Sequence, residues 1–184
     1  MLILASASPR RKELLKKIAP SFTVIVPDVD ERMIDSSVDP KDLPAEESRL
    51  KAYAIHALYP NDSVLACDTI VILEGKILGK PLTDEEAKKM LKQESGKKQI
   101  VLSGYTFIAP NKEITRSVST AVYFNPLSEE EIETYVQKFH PLDKAGAYGI
   151  QDEVGLINHI EGSYDNVMGL PTEDIAWHVF ARSR

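Results

Sequence analysis

The sequence predicts a mixed α/β fold in which helices cover a β-sheet. Short apolar strands alternate with amphipathic helices along 184 residues, of which 43% are apolar, enough to bury a core. Two longer segments, at about 99–109 and 114–124, are rich in β-branched and aromatic residues and flank the turn Pro110-Asn111-Lys112. They predict an antiparallel pair, so the sheet should be mixed. We expect one domain over 1–184, with two lobes as an alternative arrangement.

The first half of the chain contains three predicted strands and two predicted helices. The apolar run 1–5 is the first strand, and Pro9 begins a helix whose apolar residues share one face. A short strand follows at about 24–26. Helical spacing of apolar residues predicts a helix over about 45–58, and the long apolar segment 63–73 predicts a central strand.

The second half repeats this alternation. A Glu74-Gly75 turn leads into a short strand at 77–78. Thr83 and Ser128 each precede a glutamate by three residues, which predicts capping boxes opening helices that end near Ser95-Gly96 and Lys138. The remaining predicted elements are a strand at 155–160, a glycine-containing loop to Pro171 and a helix over 172–181.

Composition excludes several classes of function. The net charge of −6 argues against a nucleic-acid polymer or an acidic membrane surface as partner. No apolar window reaches the roughly 18 residues that a membrane span needs, and the N-terminal apolar run does not have the pattern of a signal peptide. The single cysteine, Cys67, rules out an internal disulfide and favours the cytoplasm.

Positive charge is concentrated at the start of the first helix. Ser8 is a suitable N-cap, and Arg10, Arg11 and Lys12 occupy the first turn, where the helix dipole is also positive. Each cation there is unfavourable by about 0.3–1 kcal/mol unless an anion binds beside it. The sequence therefore predicts a phosphate site, where loss of Arg11 should leave the stability of the fold unchanged or slightly higher. The alternative is a solvated basic helix start with snorkelling arginines.

Asp68 lies inside the apolar strand, where an ionised carboxylate costs several kcal/mol unless it is paired or metal-bound. The alternative is a strand-end aspartate bonded to backbone. Glu31, in the acidic turn 28–31, is a second candidate acid, although such turns are commonly only solvated. Together, Asp68 and Glu31 predict a site for a divalent cation that bridges substrate phosphates.

Further candidate residues lie on a helix and in loops. Lys51 interrupts an apolar helix face, and Lys80 is flanked by glycine and proline; either could simply be exposed. The segments 144–151 and 162–171 are rich in small residues, which allow backbone to approach a ligand or simply make tight turns. The sequence contains no P-loop, dinucleotide-binding glycine fingerprint, zinc-ligand spacing or Ser-His-Asp order.

In this order, these segments resemble the Maf family of nucleoside triphosphate pyrophosphatases over nearly the whole chain. The matching segments are Ser6-Ala7-Ser8-Pro9-Arg10-Arg11, Asp28-Val29-Asp30-Glu31, Leu50-Lys51-Ala52, Cys67-Asp68-Thr69, Leu78-Gly79-Lys80-Pro81, Ser95-Gly96, 143–151 and 162–171. The resemblance implies a Maf/Ham1-like (ITPase-like) architecture, a mixed sheet in two lobes with the nucleotide in a central cleft. It also implies a homodimer, which the family often forms.

The resemblance further implies hydrolysis of a nucleoside triphosphate between its α and β phosphates, giving a monophosphate and pyrophosphate. In that reading Asp68 accepts a proton, with Mg²⁺ or Mn²⁺ as the divalent cofactor, since a free aspartate is a poor base for bulk water. Arg10, Arg11, Lys51 and Lys80 would neutralise the phosphates. Ser8 belongs to the same phosphate-binding segment.

Within the family, the loop that ends at Gln151 resembles the group acting on dTTP and UTP. Arg10, Thr69 and Gln151 match positions tied to base choice there, and a glutamine amide offers both a donor and an acceptor to uracil or thymine. Family members usually have glycine at the position of Ala66 and a small residue such as alanine at that of Cys67, so this chain adds a methyl and a thiol beside Asp68.

Two alternatives remain open on sequence alone. One is a pyrophosphatase for modified or guanine-type nucleotides, whose subgroup tends to carry an acid where Gln151 stands. The other is a regulatory nucleotide-binding protein that acts on cell division, a role also associated with the family. The intact Asp68 favours an enzyme, because a pure regulator has no physical need for a carboxylate inside an apolar strand.

Overall fold

The computed structural model describes residues 1–152 and 154–181, with only the backbone for Glu31. It confirms the mixed α/β fold. The strands are β1 (Leu2–Leu4), β2 (Thr23–Val24), β3 (Ser63–Leu73), β4 (Lys76–Leu78), β5 (Lys98–Ala109), β6 (Lys112–Phe124) and β7 (Ile157–Glu161). They form a seven-stranded sheet of order β2-β1-β3-β5-β6-β7, with β4 on β3. Parallel pairing of β1 and antiparallel pairing of β6 with β7 make the sheet mixed.

Helices connect most of these strands. They are α1 (Pro9–Leu15), α2 (Leu43–Leu58), α3 (Asp84–Glu94), α4 (Glu129–Phe139), α5 (Tyr164–Met168) and α6 (Thr172–Ile175). Single 3-10 turns occur at Glu31–Met33, Ala145–Ala147 and Ile150–Asp152. Within the described part of the chain, no helix is long and apolar enough to cross a membrane.

The chain divides into two compact units, and the first comprises Met1–Thr69, Leu102–Val118 and the residues from Gly169 on. Here β1 lies parallel between β2 and β3. Parallel strands are buried on both faces, which explains why residues 64–67 of β3 are fully buried. Ala52 and Ile55 of α2 join Ile3 in the apolar cluster of this unit. Helix α2 therefore covers the part of the sheet that carries Asp68.

The second unit comprises Ile70–Val101 and Ser119–Met168. The later half of β3 pairs antiparallel with β4, and β6 pairs antiparallel with β7. Helices α3 and α4 bury Leu91, Ile132 and Val136 in its core. Tyr148, from the loop 144–151, is buried in the same core and attaches this loop to it.

Both predicted helix starts are found, but only one has a full capping box. Ser128 accepts from the Glu131 N–H while the Glu131 carboxylate accepts from the Ser128 N–H, as predicted. Thr83 accepts from the Glu86 N–H, whereas Glu86 Oε2 accepts from the Leu82 N–H at 2.7 Å. The predicted box at Thr83 is therefore half formed, because the glutamate bonds one residue earlier.

The C-terminal region also differs from its prediction. Helix α5 lies inside the segment that was expected to be a loop. Helix α6 ends at Ile175, and a π-helical turn, Ala176–Phe180, replaces the rest of the expected helix. His178 Nδ1 lies 2.9 Å from the Asp174 carbonyl, so this side chain occupies a carbonyl that a regular α-helix would use for a backbone N–H.

Gly104, on β5, allows α2 to approach the sheet. A Cβ at this position would lie 2.6 Å from the Cα of Ala45 and in contact with Pro44, at the start of α2. No flexible side-chain end is available to move aside, since the neighbouring atoms are backbone. The absence of a side chain at residue 104 thus sets the position of the helix that carries Lys51.

We expect Gly104→Ala to lower the free energy of unfolding by at least about 2 kcal/mol, because overpacking forces backbone to shift. Urea denaturation would measure the loss. Gly79→Ala is the control, since nothing lies within 4 Å of a Cβ there, and it should leave stability unchanged or slightly higher. Equal stability of the two variants would contradict this account of α2 packing.

Candidate functional site

The first turn of α1 is built as the sequence predicts. The Ser8 side chain accepts from the Arg11 N–H at 3.2 Å, and Pro9 is the first helical residue. The Ser8 N–H donates to Ser6 Oγ at 3.0 Å. The backbone N–H and the hydroxyl oxygen of Ser8 thus both form hydrogen bonds within the protein, while the hydroxyl proton can still be donated to a ligand. Arg10 and Arg11 are both half-buried in this turn.

Arg11 is bonded to the protein rather than directed into solvent. Its Nε donates to the Gly169 carbonyl at 2.7 Å, and one of its terminal nitrogens donates to Thr69 Oγ1 at 3.1 Å. These two bonds orient the planar guanidinium and leave other N–H groups of the fork for a ligand. The alternative of a solvated, snorkelling arginine therefore does not describe this residue.

Thr69 links Arg11 to the interior of the sheet. Its Oγ1 lies 2.7 Å from Ser103 Oγ on β5, and Ser103 is fully buried. The Thr69 hydroxyl thus has a fixed partner on each side, a cation and a buried hydroxyl. Sequence reasoning missed Ser103, because nothing in a strand of this composition marks one serine as the neighbour of Thr69.

Asp68 lies in the interior of β3 and forms an ion pair with Lys51 of α2. Lys51 Nζ donates to Asp68 Oδ1 at 3.0 Å, and the two side chains are 15% and 16% exposed. The Lys51 cation offsets the unfavourable free energy of burying the Asp68 carboxylate in an apolar strand. The small exposure leaves room for a ligand to reach the pair.

Glu47 was not predicted, yet its side chain hydrogen-bonds to that of Asp68. Burial by itself raises the pKa of Asp68, but the bond from Glu47 and the charges of Lys51 and Arg11 together hold that pKa below its ordinary value. Asp68 is thus ionised. The sequence does contain an indication of this contact, since Glu47 and Lys51 are four residues apart and share one helix face.

A divalent cation fits the donor chemistry around Asp68. Residues 1–152 and 154–181 contain no group of three or more acidic, histidine or cysteine side chains arranged for a metal. Mg²⁺, however, is commonly held by one or two carboxylates together with substrate phosphates and water, and Asp68 and Glu47 offer two hard carboxyl groups. The side chain of Glu31 lies outside the described atoms, so its pairing with Asp68 stays a prediction.

The two departures from the family pattern are accommodated within the core. Ala66 is fully buried in the cluster that includes Ile3 and Ala52. Cys67 is also fully buried, its Sγ lies 3.5 Å from the Gly169 carbonyl that Arg11 also contacts, and burial raises the pKa of the thiol. The ion pair of Asp68 with Lys51, at 3.0 Å, forms with both side chains in place.

Lys80 and Gln151 belong to the second unit. Lys80 is exposed, and the carbonyl of its neighbour Gly79 accepts from the Gly146 N–H at 3.1 Å. This bond attaches the segment carrying Lys80 to the loop 144–151. Gln151 is exposed in the 3-10 turn Ile150–Asp152 of that loop.

A cavity of about 180 Å³ lies beside this turn. It is lined by Gly149, Ile150, Val154, Gly155, Leu156 and Ile157. Gly155 has a positive φ, and a Cβ on this residue would meet no atom within 4 Å. The second unit therefore combines an exposed amide with a concave surface beside it.

Solved structures show the same fold. A Ham1 protein of Coxiella burnetii matches with a TM-score of 0.53 and 14% identity, covering 97% of this chain and 98% of that one. A Ham1 protein of Staphylococcus aureus matches with a TM-score of 0.51 and 21% identity over 86% of this chain and 91% of its own. At these identities the similarity is one of fold.

Sequence relatives are much more similar. A dTTP/UTP pyrophosphatase of Symbiobacterium thermophilum is 45% identical over 171 residues, which are 92% of this chain and 88% of the relative. One of Pyrococcus abyssi is 43% identical over 172 residues, 93% of this chain and 90% of the relative. The family model described as Maf-like protein matches residues 1–179. The Maf match thus extends across both units, and the chain is a member of the Maf family.

Proposed function

We propose that this protein hydrolyses nucleoside triphosphates, dTTP and UTP above all, between the α and β phosphates to give a monophosphate and pyrophosphate. The observation that carries the proposal is the ionised Asp68 held by Lys51 beside the oriented Arg11. A carboxylate and fixed cations together suit hydrolysis of a polyanion. Relatives named dTTP/UTP pyrophosphatase, at 45% and 43% identity, support the same activity.

In this proposal Asp68 accepts the proton of the water that attacks the α–β anhydride. Lys51 keeps Asp68 ionised and in place, and its charge also faces the phosphates. Mg²⁺ or Mn²⁺, held on the carboxylates of Asp68 and Glu47 together with substrate oxygens, would supply positive charge and make a nearby water more acidic. A proton acceptor with a lowered pKa is then strong enough.

The remaining cations stabilise charge on the substrate. Arg11 presents the free part of its guanidinium to the phosphates, and Arg10 and Lys80 add charge for the leaving pyrophosphate. Ser8 can donate its hydroxyl proton in the same first turn. This role explains why three cations occupy a helix start where the dipole is already positive.

Base choice is assigned to Gln151, with Thr69 and Arg10. An amide can donate to one carbonyl of uracil or thymine and accept from the N3–H. A two-point contact of this kind discriminates between bases by about 1–3 kcal/mol. A panel of nucleoside and deoxynucleoside triphosphates, assayed with Mg²⁺ for pyrophosphate release, tests the whole proposal, and release of only inorganic phosphate would contradict it.

Asp68→Asn should reduce turnover of dTTP by at least about 100-fold, because an amide cannot accept the proton. Its oxygen can still accept from Lys51, so circular dichroism and nucleotide binding should be retained. Asp62→Asn is the matched control, since Asp62 pairs with the terminal ammonium at the surface. Near wild-type turnover by the Asp68 variant would remove this residue from the mechanism.

Arg11→Ala should raise KM for triphosphates, lower kcat and also lower the melting temperature. The stability loss, on the order of 1 kcal/mol, follows from breaking the bonds to Gly169 and Thr69. This corrects the sequence-based expectation that loss of Arg11 leaves stability unchanged or slightly higher, because that expectation considered only the helix dipole. Lys12→Ala, on an exposed residue of the same turn, should leave the melting temperature unchanged or higher. An unchanged melting temperature in Arg11→Ala would show that its two bonds do not stabilise the fold.

Gln151→Glu should lower kcat/KM for dTTP and UTP by roughly 10- to 100-fold, because it removes the donor and places a negative charge against a base carbonyl. Activity on guanine nucleotides should fall less or rise. Gln137→Glu adds the same charge on an exposed face of α4 and should change neither. Equal losses on all nucleotides would refute a role of Gln151 in reading the base.

A further inference from the structure

The turn that carries Gln151 is closed by the hydroxyl of one buried tyrosine. The Gly149 N–H donates to Tyr135 Oη at 2.8 Å, and Tyr135 Oη donates to Asp152 Oδ2 at 2.7 Å. A backbone bond of 3.1 Å from the Asp152 N–H to the Gly149 carbonyl closes the same turn. One side-chain oxygen thus bridges the residues on both sides of Gln151.

We propose that Tyr135 is a positioning residue for base selection, whose hydroxyl holds the Gln151 amide where it can read a pyrimidine. The inference rests on the proposed function, because it assigns no new ligand and acts only through Gln151. Tyr135 itself lies in the core, 3% exposed, and has no access to a nucleotide.

The Gln151 side chain lies close to the backbone that Tyr135 holds. A Cβ on Gly149 would be 3.2 Å from Gln151 Cδ, so the carboxamide lies over this glycine. The same Cβ would be 2.9 Å from Asp152 Oδ2 and 2.8 Å from Lys144 Cε. Because Gly149 has no side chain, the Gln151 carboxamide packs directly on its backbone. A movement of the Gly149 backbone would therefore displace the Gln151 amide.

Tyr135 is a rigid support with a defined hydrogen-bond direction. It projects from α4, and its ring packs against that of Phe139 with centroids 5.0 Å apart. Burial, then the bond to Asp152, raises the pKa of Tyr135, so the hydroxyl keeps its proton and donates it to the carboxylate. Its oxygen is then available to accept from the Gly149 N–H.

A second tether fixes the chain just before the turn. Tyr148 Oη donates to Gln99 Oε1 at 2.6 Å, and Gln99 Nε2 donates to Glu94 Oε1 at 2.7 Å. All three side chains are buried. With residue 148 fixed by this chain, the Tyr135 hydroxyl and the backbone bond between residues 149 and 152 hold the rest of the turn.

The test compares Tyr135→Phe with Tyr105→Phe. Both tyrosines are buried and donate to an aspartate, Tyr135 to Asp152 and Tyr105 to Asp174, so both variants lose that bond, and Tyr135→Phe also loses the acceptor for the Gly149 N–H. Tyr105 belongs to the first unit, where its hydroxyl donates to Asp174 Oδ2 at 2.6 Å. We would measure kcat and KM for dTTP and dGTP, and the melting temperature, for each full-length variant.

Tyr135→Phe should lower the preference for dTTP over dGTP by roughly 3- to 10-fold, through KM for dTTP rather than kcat, as expected if the released turn costs Gln151 about one hydrogen bond to the base. Tyr105→Phe should lower the melting temperature by a similar amount and keep the preference. Asp152→Asn, which retains an acceptor, should keep the preference, and Asp152→Ala should lose it. If Tyr135→Phe folds poorly, the comparison of the two Asp152 variants tests the positioning role.

An unchanged preference in Tyr135→Phe and Asp152→Ala, while Gln151→Glu alters it, overturns the positioning role and leaves the proposed function intact. Equal loss of preference in the Tyr135 and Tyr105 variants also overturns it, since general loosening would then be the cause. If Gln151→Glu leaves the preference unchanged, the assignment of Gln151 to the base fails and this inference fails with it.

Discussion

The burial of Asp68 is the constraint on which the first unit depends. A carboxylate inside a parallel strand with apolar neighbours is tolerable only with a cation nearby, and Lys51 Nζ at 3.0 Å meets that requirement. Lys51 can do so because α2 approaches the sheet over Gly104. Packing and charge therefore specify the same arrangement, and a change in the helix position would leave a charge buried without its partner.

In both units, hydrogen bonds from single polar groups orient residues of the candidate site. The Gly169 carbonyl and the Thr69 hydroxyl hold the guanidinium of Arg11 in the first unit. In the second unit the Tyr135 hydroxyl holds the backbone around Gln151. Groups that are already oriented lose less entropy when a ligand binds, which favours binding and stabilisation of developing charge.

Much of the fold could be predicted from local patterns. The strand at 63–73, the turn after it and the full capping box at Ser128 are as predicted, because periodicity and N-cap chemistry act over a few residues. The π-helical turn after Ile175 was not, because the His178 side chain competes for a carbonyl there. Glu47 was missed although its spacing from Lys51 placed both on one helix face.

The sequence by itself determined the alternation of elements, the family and the set of charged residues around the phosphate-binding segment, since these depend on residue identity and spacing. Only the tertiary structure decided which partners those residues have. Arg11 meets a carbonyl 158 positions away, Asp68 meets Lys51 across 17 positions, and Tyr135 meets residues on both sides of Gln151. Contacts between distant segments depend on how helices and strands pack, which no local pattern encodes.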